Sequence, residues 1–275
     1  MAERVELVRN LETVAKRIRR NIIESVGVGV AGHIGGSFSS ADMVAALYFH
    51  KMRYSPTDLG RPDRDRFILS KGHVAILQYA ALVEAGIVDR KELKKTKTIG
   101  SCLQGHPDVM KTPGIEAGTG SLGQGLSIGL GMALAQRLDG QDAKTYVLMG
   151  DGELAEGQIW EAAMAAANFK VSNLVGIVDR NRLQATGRIT ERFNTNPLNA
   201  KWKAFGWEVI EVEDGNDMPQ LLEALEKADK AETGPTVIIM DTVKGKGLSF
   251  AENVVGFHNG MLTQEQYDLA MAELA

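Results

Sequence analysis

Cysteine is nearly absent from this chain of 275 residues, since Cys102 is its single cysteine. One cysteine cannot close an intrachain disulfide, so the composition excludes a disulfide-stabilised secreted domain and favours a reducing compartment. The N-terminal stretch is charged and lacks the apolar segment of a secretory signal. The most apolar stretch, Leu126–Ala135, is interrupted by Gly129 and Gly131 and falls far short of the ~20 residues that span a bilayer. We therefore expect a cytoplasmic protein that does not associate with membranes.

An excess of positive charge is also lacking, because 31 Lys and Arg residues face 35 Asp and Glu residues, for a formal net charge of −4. A nucleic-acid-binding chain needs a basic surface, so we expect no nucleic-acid partner. The local basic cluster Lys16–Arg20 lies on a helical pattern and is interpreted as a solvated helix face. Hydrophobic residues make up 44% of the chain, which excludes an intrinsically disordered protein.

Helical and strand-like patterns alternate along the chain. Apolar residues at helical spacing predict helices over Glu3–Ser25, Ala41–Tyr48, Val74–Ala85, Gly157–Phe169, Leu221–Ala228 and Gln264–Leu274. Short apolar runs predict strands over Arg66–Ser70, Thr145–Met149, Asn173–Asp179, Trp207–Val212 and Thr236–Thr242. The segment Gly27–Ser40 is predicted to be a loop, and the basic run Arg90–Lys97 a solvated helix. This alternation predicts an α/β fold with a parallel sheet flanked by helices on both faces, and ligands at the carboxyl ends of its strands.

Glycine is the compositional outlier, with 30 residues. The glycines cluster at Gly27–Gly36, Gly114–Gly131, Gly150–Gly157 and Gly245–Gly260, which suggests backbone that a ligand approaches closely. The stretch Gly118–Gly123 also satisfies the dinucleotide-binding pattern G-x-G-x-x-G. No clear strand ends immediately before it, so a dinucleotide site is disfavoured.

The segment from Thr145 to Asn181 carries the most chemical information. A strand ends at Gly150-Asp151-Gly152, a helix follows, and a second strand ends just before Asn181. Neighbouring parallel strands would bring Asp151 and Asn181 to one edge of the sheet. A carboxylate and an amide oxygen suit Mg²⁺, which completes its shell with phosphate oxygens and water. Gly150 and Gly152 leave room for a diphosphate beside a helix N-terminus. Gly-Asp-Gly alone is also typical of an ordinary turn. The prediction therefore depends on the whole combination of strand, helix, second strand and Asn181.

Further motifs extend this pattern over nearly the whole chain. They are Gly32-His33-Ile34-Gly35-Gly36-Ser37, Ser70-Lys71-Gly72-His73, Gly105-His106-Pro107-Asp108, Gly118-Thr119-Gly120-Ser121-Leu122-Gly123-Gln124-Gly125, Gly150-Asp151-Gly152-Glu153-Leu154-Ala155-Glu156-Gly157, Thr242-Val243-Lys244-Gly245-Lys246-Gly247 and His258. In this order they resemble the thiamine-diphosphate enzymes, and specifically the transketolases. The resemblance implies the thiamine-diphosphate-binding fold, with thiamine diphosphate as coenzyme and Mg²⁺ as metal, for which Ca²⁺ or Mn²⁺ could substitute.

The resemblance also implies roles for individual residues. The metal ligands would be the side chains of Asp151 and Asn181 and the carbonyl of Leu183. The coenzyme would be contacted by His73, Gly120, Leu122, Gly152, Glu156, Asn181, Lys244 and His258. The catalytic residues that handle substrate protons would be His33, His106 and His258. Glu156 corresponds to a glutamate that supports dimer-related active sites in the family, although a glutamate in the first turn of a helix is also favoured by the helix dipole alone.

The activity implied by the resemblance is transfer of a two-carbon ketol unit from a ketose, or ketose phosphate, to an aldose acceptor, as in the pentose phosphate pathway. Thiamine diphosphate acts in such reactions as an electron sink. The resemblance covers only the family's N-terminal part, so we expect residues 1–275 to form a single diphosphate-binding domain. The pyrimidine-binding and C-terminal domains would lie on a separate chain, the C-terminal subunit of a split transketolase. Two copies of each chain would form the active heterotetramer.

Other interpretations stay open. A second enzyme hypothesis is another thiamine-diphosphate enzyme, such as deoxyxylulose-phosphate synthase or a 2-oxoacid dehydrogenase subunit. The former usually has Asp-x-Gly-His where this chain has Ser70-Lys71-Gly72-His73, and Gly105-His106-Pro107 also favours transketolase. A third hypothesis is a decayed subunit that serves as a scaffold or regulator; the intact Asp151 and Asn181 argue against it.

Overall fold

Five parallel strands form the central sheet of the computed structural model, which describes residues 2–275. Together with two strands outside this sheet, the strands in chain order are β1 (Arg66–Leu69), β2 (Thr145–Gly150), β3 (Leu174–Arg180), β4 (Leu183–Gln184), β5 (Gly187–Arg188), β6 (Glu208–Val212) and β7 (Thr236–Asp241). The sheet order is β1-β2-β3-β7-β6, and every pairing in it is parallel. Strands β4 and β5 form a separate antiparallel hairpin. The predicted parallel sheet is thereby confirmed.

Helices cover both faces of this sheet. The helices, in chain order, are α1 (Ala2–Val26), α2 (Ile34–Ser39), α3 (Ala41–Ala46), α4 (Ala75–Glu84), α5 (Gln124–Leu138), α6 (Gly157–Asn168), α7 (Ile189–Arg192), α8 (Leu198–Ala204), α9 (Met218–Asp229) and α10 (Gln264–Glu273). A π-helical turn at Leu47–Lys51 continues α3. Among residues 2–275, no helix combines the length and the apolarity needed to cross a membrane.

Two hydrophobic cores lie on opposite sides of the sheet, because strand side chains alternate between its faces. Along β2, Tyr146 and Leu148 enter the core built with α1, α3, α4, α9 and α10. Val147 and Met149 enter the second core, built with α5, α6 and α8. Burial on both faces explains why all strands of the sheet except the edge strand β6 contain continuous apolar runs.

Two of the predicted elements are wrong. The glycines of Gly27–Ser40 predict a loop, but the second half of this segment forms α2. Ile34 and Phe38 of α2 are fully buried in the core with α1, and this burial outweighs the low helix propensity of glycine. The run Arg90–Lys97, predicted to be a solvated helix, forms only a 3₁₀ turn over Arg90–Lys95, anchored by the buried Leu93.

Close packing of α5 on β2 depends on a glycine, which gives a matched pair of predictions. A Cβ atom on Gly129 would lie 2.4 Å from Cγ2 of the buried Val147, whereas a Cβ on Gly131 would meet open space. We expect Gly129→Ala to lower the free energy of unfolding by about 1–2 kcal/mol, because overpacking outweighs the gain in helix propensity. Gly131→Ala should raise it by up to about 1 kcal/mol. Urea unfolding of the purified chain measures both; equal effects of the two substitutions would contradict the packing argument.

Candidate active site

A cavity of about 440 Å³ opens at the carboxyl ends of β1, β2, β3 and β7. The residues that follow these strands in the chain form its floor, as expected for a parallel α/β sheet. It collects every predicted site residue except His106 and Glu156: His33, His73, Gly120, Leu122, Asp151, Gly152, Asn181, Leu183, Lys244 and His258. Residues distant in sequence therefore converge on one place.

The predicted metal ligands lie at the tips of neighbouring strands. Asp151 follows β2 and is buried, and its carboxylate accepts hydrogen bonds from the backbone N–H groups of Gly152 (2.8 Å) and Arg182 (2.6 Å). Asn181 follows β3, and its Oδ1 accepts from the backbone N–H of Leu183 (3.2 Å). Strands β2 and β3 pair directly, with Gly150 opposite Asp179. The spacing argument thus places the two side chains correctly at the sheet edge.

These residues fit a divalent cation. Burial raises the pKa of Asp151 to about 7, and the nearby negative charge of Asp179 adds to this effect. The ionised carboxylate of Asp151 is therefore poorly compensated by the positive charges around it. A bound divalent cation would supply the missing positive charge. Within residues 2–275, no three His, Cys, Asp or Glu side chains group closely enough to hold a metal. A metal here would therefore take amide and carbonyl oxygens beside Asp151, plus phosphate oxygens, which is a set that suits Mg²⁺.

Three imidazole rings line one wall of the cavity. The ring centroids are 5.0 Å apart for His33 and His73, 5.5 Å for His33 and His258, and 5.4 Å for His73 and His258. Burial lowers the pKa of His33 to about 4, with Lys97 adding to the effect. Burial also lowers the pKa of His258 to about 4 and that of His73 to about 2, helped by Lys244 and Lys71 respectively. All three rings are therefore neutral at physiological pH.

Lys244 sets the orientation of His258. The ammonium of Lys244 is buried and donates to Nδ1 of His258 (2.9 Å) and to the carbonyl of Leu183 (2.7 Å). Burial lowers the pKa of Lys244 to about 8. Because an ammonium can only donate, Nδ1 of His258 accepts and its Nε2 carries the proton. The Nδ1 atom of His33, by contrast, is buried and has no hydrogen-bond partner within residues 2–275.

His106 and Glu156 lie outside the cavity lining. His106 is exposed, and its ring packs so closely on Gly120 that a Cβ there would lie 2.8 Å from Cδ2 of His106. The carbonyl of His106 accepts a hydrogen bond from the hydroxyl of Tyr79 (2.8 Å). Glu156 is exposed at the start of α6 and makes no capping hydrogen bond. Its predicted role between subunits stays a prediction.

Sequence reasoning missed three buried charged residues of the cavity and its floor: Lys71, Glu153 and Asp179. Glu153 accepts hydrogen bonds from the hydroxyl of Ser70 and from the N–H groups of Gly123 (2.8 Å) and Gly150 (3.0 Å), so it joins three chain segments. Lys71 and Asp179 form a buried ion pair. The sequence does contain a signal that could have identified these residues. Each of the three charged residues lies at the carboxyl end of an apolar strand or shortly after it, where ligands bind in parallel α/β sheets.

The low pKa values of His33 and His258 predict a specific pH response. An unfolded imidazole takes up a proton near pH 6.5, whereas folded His33 and His258 do so only near pH 4. The unfolded state therefore binds more protons between these values, and these groups make the free energy of unfolding fall as the pH drops from about 6.5 to about 4. NMR titration of the purified chain should show both rings neutral at pH 6. Half-protonation near pH 6.5 would contradict their burial.

Comparison with known proteins identifies the fold and site. A family profile described as "Transketolase, thiamine diphosphate binding domain" matches residues 11–274. One of the subunits of the apulose-4-phosphate transketolase of Phocaeicola vulgatus is 42% identical over 268 residues, which cover 98% of this chain and 95% of that protein. The 6-deoxy-6-sulfo-D-fructose transketolase subunit SqwG of a Clostridium species is 42% identical over 265 residues, 96% of each chain. Both relatives are named as subunits, so each works with a partner subunit.

Solved structures agree. The transketolase of Leishmania mexicana superposes with a TM-score of 0.91 at 35% identity, covering 96% of this chain and 41% of that one. A transketolase variant from Pichia stipitis gives a TM-score of 0.92 at 32% identity, covering 96% of this chain and 40% of that one. The present chain thus spans about two fifths of the length of these solved transketolases. Fold and cavity define a thiamine-diphosphate-binding domain. The chain belongs to the transketolase family, whose members are transferases, and the predicted family and fold are confirmed.

Proposed function

We propose that this chain is the diphosphate-binding subunit of a split transketolase, which transfers a two-carbon ketol unit from a ketose to an aldose. The observation that carries the proposal is the convergence of Asp151, Asn181, His33 and His258 on one cavity at the strand tips. Support also comes from the two subunit relatives, which this chain matches over at least 95% of their length. The chain, residues 1–275, then acts as one domain, and the pyrimidine-binding and C-terminal domains belong to the partner chain.

The proposed coenzyme and metal sites follow from the cavity lining. Asp151, Asn181 and the carbonyl of Leu183 would hold Mg²⁺, or Ca²⁺ or Mn²⁺ in its place, and a cation held there would neutralise the diphosphate of thiamine diphosphate. His73 and Lys244 line the same cavity and would contact the diphosphate, and Gly152 leaves space beside its backbone. When bound, the coenzyme supplies the electron sink that cleavage of a ketose C–C bond requires.

The remaining residues orient the coenzyme or handle protons. Gly120 and Leu122 contact the coenzyme, and Glu156 connects the two active sites of the assembled enzyme. His258 donates its Nε2 proton to a substrate oxygen, since Lys244 occupies its Nδ1. Neutral His33 accepts a substrate hydroxyl proton. His106, whose ring packs on Gly120 outside the cavity lining, handles substrate protons together with His33 and His258.

The substrates are proposed to be sugars or sugar phosphates. Two relatives are named for apulose-4-phosphate and 6-deoxy-6-sulfo-D-fructose, and both of these sugars carry an anionic group. Sugars of the pentose phosphate pathway are also proposed as substrates, and their transfer rates would be compared with those of such anionic sugars. We place the enzyme in the cytoplasm, because a chain with one cysteine suits a reducing compartment.

Reconstitution tests the proposal. The chain is co-purified with a candidate partner subunit, and light scattering measures the mass of the complex, which should contain two copies of each chain. Ketol transfer is assayed with thiamine diphosphate and Mg²⁺, and pyruvate decarboxylation is assayed in parallel. Transfer by the complex, none by the chain alone, and no decarboxylation are expected. Decarboxylation without transfer would favour the second hypothesis, a different thiamine-diphosphate enzyme, and an inert monomer beside the partner would favour the scaffold hypothesis.

A further inference from the structure

Glu153 connects two chain segments that line the cavity, and it does so through their backbones. Its side chain is buried, at 3% exposure. One carboxylate oxygen, Oε1, accepts from the N–H of Gly123 (2.8 Å) and from the hydroxyl of Ser70, and Oε2 accepts from the N–H of Gly150 (3.0 Å). Gly150 is the last residue of β2, directly before Asp151, and Gly123 directly precedes α5. A single side chain therefore joins the tip of β2 to the segment before α5.

The segment before α5 is a loop, Gly118–Gly123, that brings Leu122 into the cavity lining. Near its start, the hydroxyl of Thr119 donates to the carbonyl of the last residue of β1 (2.7 Å). At its end, the N–H of Gly123 has only Glu153 as a hydrogen-bond acceptor within residues 2–275. The hydrogen bond to Glu153 therefore restrains the end of the loop that lies next to Leu122.

The connection needs both oxygens of a carboxylate. The N–H groups of Gly123 and Gly150 bond different oxygens of Glu153. A side-chain amide has one accepting oxygen and one NH₂ group that only donates. In Glu153→Gln, the amide can accept from one of the two N–H groups and must present its NH₂ group to the other, whichever way it is turned. This substitution keeps the volume of the side chain and breaks the connection.

We propose that Glu153 is a positioning residue, which holds the Gly118–Gly123 loop in a fixed place relative to the strand tip Gly150–Asp151 before the coenzyme binds. The proposal rests on the function proposed above, in which the strand tip holds the metal and the loop contacts the coenzyme. One coenzyme molecule contacts both segments, so it binds most tightly when their relative position is set in advance. Glu153 acts through the backbones of the two segments.

Asp65→Asn is the matched control. Asp65 is another buried carboxylate, and its two oxygens accept from the backbone N–H groups of Arg53 and Lys144 (both 2.8 Å). It lies just before β1, at the opposite end of the strands from the cavity. Its substitution breaks a comparable connection, so it should lower the melting temperature without changing the affinity for thiamine diphosphate.

Two measurements on the chain–partner complex test the proposal. Calorimetry at saturating Mg²⁺ measures the binding of thiamine diphosphate. We expect Glu153→Gln to bind it ~10- to 100-fold more weakly than wild type, the usual effect of a supporting residue, and Asp65→Asn to bind it like wild type. Hydrogen exchange without coenzyme, read by mass spectrometry, reports on the loop and the end of β2. Exchange at Gly123 or Gly150 should be faster in Glu153→Gln than in wild type or Asp65→Asn.

Wild-type affinity in Glu153→Gln would overturn the proposal, as would an equal loss of affinity in Asp65→Asn. If Glu153→Gln does not fold, exchange in the wild-type complex decides. Slow exchange at Gly123 before coenzyme is added supports the proposal, whereas fast exchange that slows only after coenzyme is added would overturn it. A wild-type complex that binds no thiamine diphosphate would overturn the proposed function itself, and the positioning proposal with it.

Discussion

Loss of coenzyme retention is the expected result when Asp151 is replaced by alanine in the assembled enzyme. Asp151 is the single carboxylate in the proposed metal site, and the neutral oxygens of Asn181 and Leu183 cannot balance a divalent charge without it. We expect ketol transfer to fall by more than ~100-fold, beyond the loss caused by an outer-shell change. Retained coenzyme is measured by gel filtration followed by fluorescence detection of thiamine diphosphate.

A second substitution keeps this prediction independent of folding. Asp151→Asn preserves the volume of the side chain and one of the two oxygens that accept from the N–H groups of Gly152 and Arg182, so one of these N–H groups loses its acceptor. It should still fold, with a free energy of unfolding lowered by about 1–3 kcal/mol, and it should lose the coenzyme. The control Asp65→Asn should retain the coenzyme, because Asp65 is a buried carboxylate just before β1, at the opposite end of the strands from the cavity, where it accepts from the N–H groups of Arg53 and Lys144. If the alanine and asparagine variants both hold coenzyme and turn over at wild-type rates, the metal site is not where we place it.

Replacement of His33 by asparagine is expected to lower kcat by ~10²- to 10⁴-fold, the usual contribution of a general acid or base. His33 is neutral and lines the cavity, so its ring can take a proton from substrate. It contacts none of the proposed metal ligands through a hydrogen bond, so the affinity for Mg²⁺ and thiamine diphosphate should be unchanged. Steady-state kinetics and calorimetry on the same complex separate the two effects.

His50→Asn is the control for this prediction. His50 is exposed on the π-helical turn after α3 and is not part of the cavity lining. Its substitution should leave both kcat and coenzyme affinity as in wild type. A His33 variant that loses coenzyme affinity in parallel with kcat would indicate that His33 holds the coenzyme rather than moving a proton.

The main features of the fold were predictable because they depend on the local pattern of apolar and polar residues. Every strand of the sheet except β6 is built around a short apolar run, which accommodates the burial of neighbours such as Val147 and Leu148 on opposite faces of the sheet. Asp151 and Asn181 were predictable for a related reason, since the carboxyl ends of neighbouring parallel strands must share one edge. Helix α2 was not predictable, because its glycines favour a loop and the helix is stabilised only by the burial of Ile34 and Phe38 in the core.

The sequence by itself determined the strand and helix succession, the metal-ligand candidates and the family, because these depend on residues close together in the chain or on motifs in a set order. Only the tertiary structure decided which polar groups meet. The pairing of Lys71 with Asp179 joins positions 108 residues apart, and the bond from Lys244 to His258 depends on how the last loops fold back over the cavity. Local pattern encodes burial, whereas the direction of a hydrogen bond depends on atoms that only packing brings together.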